Sequence, residues 1–437
     1  MYVDRVKLQN IRGFADLEFD LRRPDGTYAG WTVFTGDNGS GKSALLKAIA
    51  IGLVGRDTAR LLQPSFHRWI RHGCQPHEAS IEIAVIKGDD DRVVETGREP
   101  RKPFPAKLVL TNGGKEAHLR DGLPEGKGDA YVTPQRTIWA NDAEGWFSCG
   151  YGPFRRVFGD SSEAARLMVA PSTERFVTMF QEAASLAEVD RWLRSLKHKE
   201  LEGRTEESEQ LRLLIALLND DLMPNQIRID RIDSEGLWLV DRNGAQLSWS
   251  EMSDGYRSSL ALLADIVRHL FKAFGAHDLI HRDATGRLMV TRSGVVLIDE
   301  VDAHLHPEWQ REIGFWLKRH FPNIQFLVTT HSPLVVQAAD AGGIYRLPEP
   351  GSSDAPRRLT TEEYEQTIAS RPNKILTGPA FGLPSVRSPD AIAKRSAFSR
   401  LAAKRRAGAT LTEQEESRFR QLELFSQLDA DDVDSTD

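Results

Sequence analysis

The sequence predicts an α/β fold of two lobes built around a mixed sheet with flanking helices, and three observations carry that prediction. The first is a glycine-rich loop, Gly36-Asp37-Asn38-Gly39-Ser40-Gly41-Lys42-Ser43, set between the strand-like run WTVFTG and the apolar helical run ALLKAIAIGLVG. The second is a pair of short apolar runs, VVLIDE and NIQFLVTTH, of the kind that parallel sheets bury on both faces. The third is size: 437 residues exceed one ordinary core, and 40% hydrophobic with 27% charged residues is a globular composition.

Each element follows in order. Residues 1–35 alternate as strands (VDRVKLQN, FADLEFDL, WTVFTG), and the helix after the glycine-rich loop is apolar almost all round, so it is expected to be buried. Strand runs return at SIEIAVI and KLVLTN, with GREPRKPFP as an exposed connection. From Ser161 the composition turns helical, through FVTMFQEAASLAEVDRWLRSLKHKELEG and EESEQLRLLIALLND, too short for an extended coiled-coil arm. Strands resume at IRIDRI and LWLVDRN, and SEMSDGYRSSLALL opens another apolar helix. The expected organisation is lobe I over 1–160, a helical insertion over 161–225, lobe II over 226–348, and a C-terminal extension over 349–437. That extension holds a basic helical run, AIAKRSAFSRLAAKRRAG, and an acidic end, LDADDVDSTD, whose composition reads as disordered.

Composition narrows the function. A net charge of −6 means that any nucleic-acid binding must come from a local patch. Cys74 and Cys149 make neither a disulfide framework nor a metal cluster, which fits a reducing cytosol. The amino terminus is charged and alternating, unlike a signal peptide, and no apolar run approaches the ~20 residues of a membrane span, so a cytoplasmic location is expected.

The glycine-rich loop satisfies G-x-x-x-x-G-K-[ST] with a strand before it and a helix after it. Gly36, Asn38, Gly39, Ser40 and Gly41 let backbone N–H groups curl around a β-phosphate, Lys42 neutralises β/γ oxygens, and Ser43 offers a hydroxyl to Mg²⁺. Asp299, at the end of VVLIDE, can bind the same Mg²⁺ through water, and Glu300 can orient or deprotonate an attacking water. His331 ends the TTH run where an imidazole can reach the γ-phosphate or the water. HLHP (304–307) is spaced unlike a zinc site, so no metal beyond Mg²⁺ is expected.

In this order, the phosphate loop, the Ser-Asp-Gly helix start, LIDE and TTHS resemble the ABC-type ATPases. LQNIRGF before the phosphate loop, DEVDAHLHP at the catalytic strand and the helical insertion resemble the SMC, RecF and OLD kind in particular. The resemblance implies ATP as nucleotide and Mg²⁺ as metal. It implies that Met252-Ser253-Asp254-Gly255-Tyr256 stands for the family's signature motif and contacts the ATP held by a second subunit in a head-to-tail homodimer. It also implies that Arg12 reaches the nucleotide phosphates and that His304 and His306 lie in the D-loop, with His306 departing from the family's usual Asp. Two places remain open for the glutamine that couples Mg²⁺ to the partner domain: the Tyr151–Arg156 stretch and Gln135.

The function implied is an ATP-driven switch like the ATPase subunits of prokaryotic anti-phage systems (Septu PtuA-like, OLD-like), controlling a separately encoded nuclease. A nuclease within this chain is not expected, because the region after the last ATPase motif lacks a strand-borne acidic cluster. The alternative is a RecF-like DNA-binding ATPase of repair or recombination, using the basic run from Lys394 to Arg406. A transporter ATPase fits poorly, since some forty residues separate the signature from the catalytic strand.

Overall fold

The apolar run before the phosphate loop forms β3 (Gly30–Thr35), central in its sheet, and its six residues are buried because both faces are covered, Trp31 and Val33 packing in one core and Phe34 in the other. The protein is described here from a computed structural model, which describes all residues except 75–76, 95–98, 113–115, 123–133, 141, 156–166, 168–170, 182–185, 224–225, 353, 355 and 428–437. The acidic end LDADDVDSTD, Arg156 and the first residues of the expected insertion lie outside the described residues.

Two sheets bracket the long helix α1 (Lys42–Leu62). The first is antiparallel, in the order β2-β1-β4-β5-β6, built from β1 (Tyr2–Ile11), β2 (Phe14–Asp20), β4 (Glu78–Ile86), β5 (Phe104–Asn112) and β6 (Ala117–Asp121). Val6, Leu8 and Ile11 of β1 point into the core, and a register shift between Val3 and Arg5 keeps Val3 buried too. Helix α1 is broken at Gly55, whose φ of 77° suits glycine and where a Cβ would lie 2.7 Å from the Trp139 ring.

The second sheet has the order β16-β15-β3-β14-β13-β7. Its members are β7 (Ser148–Tyr151), β13 (Gly294–Ile298), β14 (Ile324–Thr329), β15 (Ile344–Arg346) and β16 (Arg357–Arg358), and all but β16 run parallel. Period two then divides the core. Val295 and Leu297 face α1 and the antiparallel sheet, while Val296 and Ile298 face the helices on the other side. Because the strands are parallel and in register, with Ile298 opposite both Val328 and Tyr151, everything that follows them emerges along one edge. That edge carries the functional residues.

Between the two halves, β8 (Arg228–Asp233), β9 (Gly236–Val240) and β10 (Gln246–Ser248) form a small antiparallel sheet. Two helices, α2 (Ala187–Leu201) and α3 (Thr205–Leu218), pack on α4 (Asp254–Phe274), with the Trp192 and Phe271 rings 6.4 Å apart. A hairpin of β11 (Ile280–Arg282) and β12 (Leu288–Val290) then leads into β13. Helix α5 (Pro307–His320) lies on the same side, and its Trp316 donates to the Asp220 carbonyl just after α3 at 2.9 Å.

The first compact unit runs past Pro348 to Phe381. Residues from Gly382 form a second unit, in which α6 (Pro389–Arg406) and α7 (Glu413–Gln427) make a hairpin. Phe398 stacks on Phe419 with centroids 4.9 Å apart, and Arg405 lies over the Phe419 ring. Among the described residues no helix is long and apolar enough to cross a membrane.

Candidate functional site

The phosphate loop closes on itself through positive-φ glycines. Gly36, Gly39 and Gly41 have φ of 140°, 84° and 96°, a backbone that curls the loop and is costly for other residues. Gly41 also admits close packing, since a Cβ there would meet the Phe14 ring at 2.5 Å. The Lys42 ammonium donates to the carbonyls of Gly36 at 2.8 Å and Asp37 at 3.0 Å, which poises it over the loop. Burial pushes its pKa down, while the carboxylates of Asp299 and Glu300 oppose that shift. Ser43 follows in the first turn of α1 and is half-buried, Asn38 is exposed on the loop, and the buried Ser40 hydroxyl has no hydrogen-bonding partner among the described residues.

Asp299 leaves the end of β13 almost fully buried. One of its oxygens accepts from Thr329 Oγ1 at 2.6 Å, and the other, also buried, has no partner among the described residues. A buried carboxylate oxygen left unpaired is costly unless a cation or its water completes it. The donor set of Asp299 and the Ser43 hydroxyl is all oxygen, so it fits a hydrated Mg²⁺. Among the described residues no group of three His, Cys, Asp or Glu gathers to hold any other metal. Glu300 is half-buried with a φ of 47°, and Thr329 Oγ1 accepts its backbone N–H at 2.7 Å. The Thr329 hydroxyl therefore aligns both acidic residues at once.

Two side chains not singled out as site residues tie this edge together. Arg155, buried just beyond β7, donates to the carbonyls of Gly152, Asp299, Glu300 and Ala303 at 2.8–3.2 Å. Burial pushes its pKa down to about 10, which still leaves it charged at neutral pH. Asp302 accepts from Thr330 Oγ1 at 2.5 Å and from the His331 backbone N–H at 3.3 Å. His331 itself is exposed at the tip of the turn. An arginine six residues after a cysteine carries no sequence signal of this role, but DEVD does offer a second aspartate at the right offset.

The Tyr151–Arg155 stretch thus lies against the Asp299 turn, whereas Gln135 bonds Asp121 of β6 at 2.9 Å. Arg12 has a φ of 49°, sits 4.3 Å over the Trp69 ring, and keeps a buried Nε without a partner among the described residues. The residues after it, Gly13 and Phe14, line one cleft with Gly39 and Ser40. Arg155→Met should break the bonds holding the Asp299–Ala303 turn, costing roughly 3 kcal/mol in a urea unfolding curve and slowing turnover more than it weakens nucleotide binding.

The helix start at Ser253 forms a separate place. Ser253 has the extended backbone of an N-cap (φ −64°, ψ 153°), yet its exposed hydroxyl makes no capping bond. Asp254 pairs with Arg257 at 2.5 Å, and Gly255 approaches the His304 carbonyl so closely that a Cβ would sit 2.5 Å from it. Here Tyr256 and Trp309 meet edge to face at 5.4 Å beside a cavity of about 510 Å³, lined also by Ser253, His304, His306 and Glu308. His304 has a φ of 66°, and His306 caps α5 by accepting the Glu308 N–H at 3.4 Å. No residue of the phosphate loop lines this cavity.

A strand–phosphate-loop–helix unit in a parallel sheet, an acidic pair closing the next strand but one, and a second helix start whose Ser253 hydroxyl is unengaged are the features of a P-loop ATPase head, and they resemble the ABC type of the SMC, RecF and OLD kind. Comparison with known proteins agrees. A family described as "AAA domain" matches residues 5–131, and one described as "AAA domain, putative AbiEii toxin, Type IV TA system" matches 159–337. The chain is similar to Septu protein PtuA of Bacillus mycoides, 24% identical over 87% of this chain and 45% of that protein. It is also similar to the Retron Ec83 probable ATPase of Escherichia coli, 42% identical over 27% of this chain and 20% of that one. The chain therefore spans less than half the length of these curated relatives. A solved Smc head domain from Pyrococcus furiosus, with an extended coiled coil and bound to the C-terminal domain of ScpA, covers 84% of this chain and 98% of its own at 15% identity and a TM-score of 0.45, too loose a likeness to add to the argument.

Proposed function

We propose that this chain is a cytoplasmic ATP-dependent switch that closes head to tail with a second copy around two ATP molecules and so controls a partner effector. The observation that carries the reading is the separation of the two anion cradles. The phosphate loop offers backbone N–H groups and Lys42 on one edge, while Ser253 and the α4 amino terminus open on a cavity that the loop does not line. An ATP held by the loop can then reach a signature only on another copy.

In that arrangement Gly36, Asn38, Gly39, Ser40, Gly41 and Lys42 hold the phosphates, and Arg12 supports them from the β1–β2 turn. Ser43 and Asp299 hold Mg²⁺, which when bound screens phosphate charge. Glu300 takes the proton of the attacking water, and His331 faces the γ-phosphate. Ser253, Asp254 and Gly255 complete the other copy's site, and His304 and His306 join them at the interface. Arg155 acts as a positioning residue for the Glu300 turn. The reaction is hydrolysis of ATP to ADP and phosphate, with no nuclease activity from this chain.

The relatives suggest the setting. The relatives are a Septu protein PtuA and a retron ATPase, and with the anti-phage setting that the sequence resemblance implies, the effector proposed is a separately encoded nuclease. A switch has an output only if that effector binds the closed and open dimers with different affinity. The helical insertion that carries α2 and α3, and the tail after Pro348, which the ATPase head does not need, are the places proposed for docking. Purifying the chain with its chromosomal neighbours, and assaying nuclease activity with ATP or a non-hydrolysable analogue, tests this. Co-elution with an ATP-dependent nuclease supports it; nuclease activity from this chain alone contradicts it.

A second reading, DNA binding in repair, rests on α6, which has no buried residue and carries Lys394, Arg395, Arg400, Lys404, Arg405 and Arg406. If this helix meets a duplex, affinity should fall steeply with salt, and truncation after Arg387 should flatten that slope. An unchanged slope leaves α6 as a solvated or protein-binding helix.

A further inference from the structure

Strand β7 has the Asp299 turn at one end, and at the other a second cavity of about 210 Å³. Trp146, which precedes the strand, forms one wall, and Glu174, Arg175, His269 and Lys272 bring charge to it. The charges do not balance. Glu174 accepts from Lys272 through both oxygens at 2.8 Å and pairs with Arg268. Asp265 accepts from Arg268 Nε at 2.8 Å and from the Tyr151 hydroxyl at 3.0 Å, with His269 Nε2 at 3.2 Å. The two carboxylates are therefore already matched by Arg268 and Lys272.

Among the described residues Arg175 is the cation left over. Its Nε is buried without a hydrogen-bonding partner, and burial lowers its pKa. A guanidinium does not escape such a position by losing its proton at neutral pH, so the missing partner must be an anion or water. We propose that this cavity binds a small phosphate-bearing oxyanion, with Arg175 as its principal donor and, as the second, the N–H that the Lys272 ammonium keeps beyond the two given to Glu174. A planar fork beside a flexible ammonium suits a group with several acceptor oxygens and two charges better than a single carboxylate. The cavity is smaller than the ~300–1,000 Å³ usual for larger ligands, so inorganic phosphate or a small phosphate monoester fits it and a nucleoside triphosphate does not. The site is distinct from the phosphate loop, since the two lie off opposite ends of the parallel strands.

The test uses the full chain carrying Lys42→Ala, which removes the lysine of the other anion cradle. Inorganic phosphate should raise its thermal midpoint saturably, as expected for a ligand that binds only the folded state. Adding Arg175→Met should abolish the saturable part of that rise. An equal rise in both proteins marks a general salt effect and overturns the proposal. Where Arg175→Met fails to fold, Lys272→Met, at a half-exposed position, replaces it. It should move the phosphate titration to at least ~10-fold higher concentration, and an unmoved titration also overturns the site. Running glycerol phosphate beside inorganic phosphate distinguishes a monoester ligand from the free ion.

Discussion

Lys42→Ala should lose ATP binding, whereas Glu300→Gln should bind ATP and hydrolyse it at least ~10²-fold more slowly. The contrast follows from what each side chain faces. The Lys42 ammonium is already poised over the loop carbonyls of Gly36 and Asp37, so its loss removes the one side-chain cation that the loop itself brings to the phosphates. Glu300 makes its hydrogen bond to Thr329 through the backbone N–H, so the amide substitution leaves that bond in place and removes only the basic oxygen. Equilibrium binding of a fluorescent ATP analogue and phosphate release, measured on the same preparations, separate the two effects. Near-normal turnover by Glu300→Gln would take that carboxylate out of the proton-accepting role.

Ser253→Arg should abolish ATP-dependent association while leaving ATP binding by the single chain intact. The position is exposed, and its hydroxyl caps nothing in its own helix, so a bulky cation there should cost the fold little. In a head-to-tail pair the same side chain would intrude where the partner's γ-phosphate must sit. Light scattering on Glu300→Gln protein, with and without the second change, reads this directly. Equal association in both would reduce the Ser253 turn to a plain helix start.

Much of this architecture was legible because it is local. The phosphate loop announces itself by glycine spacing, and the structure gives those glycines the positive φ values that the spacing implies. The apolar runs before Asp299 and His331 became adjacent buried strands, as uninterrupted apolar runs of that length do. Ser253 was visible as a helix start, and only the structure shows its hydroxyl unengaged and its cavity separate from the loop. What sequence hid was long-range. Arg155 reaches carbonyls of residues almost 150 positions away, and such contacts have no periodicity. The Tyr151 stretch was the favoured place for the coupling residue and Gln135 the weaker one, and pairing with Asp121 draws Gln135 away from the acidic turn. Arg175 looked like any arginine in a helical segment; its missing partner is a property of packing alone.

The central claim is that each working site is shared between two copies, and mixing two inactive proteins tests it most directly. Lys42→Ala keeps a sound signature, and Ser253→Arg keeps a sound phosphate loop, so a mixed pair has one composite site with both good halves. ATP turnover by each protein alone should be negligible, and turnover on mixing should rise far above their sum. A mixture no more active than its separate components would contradict the head-to-tail account.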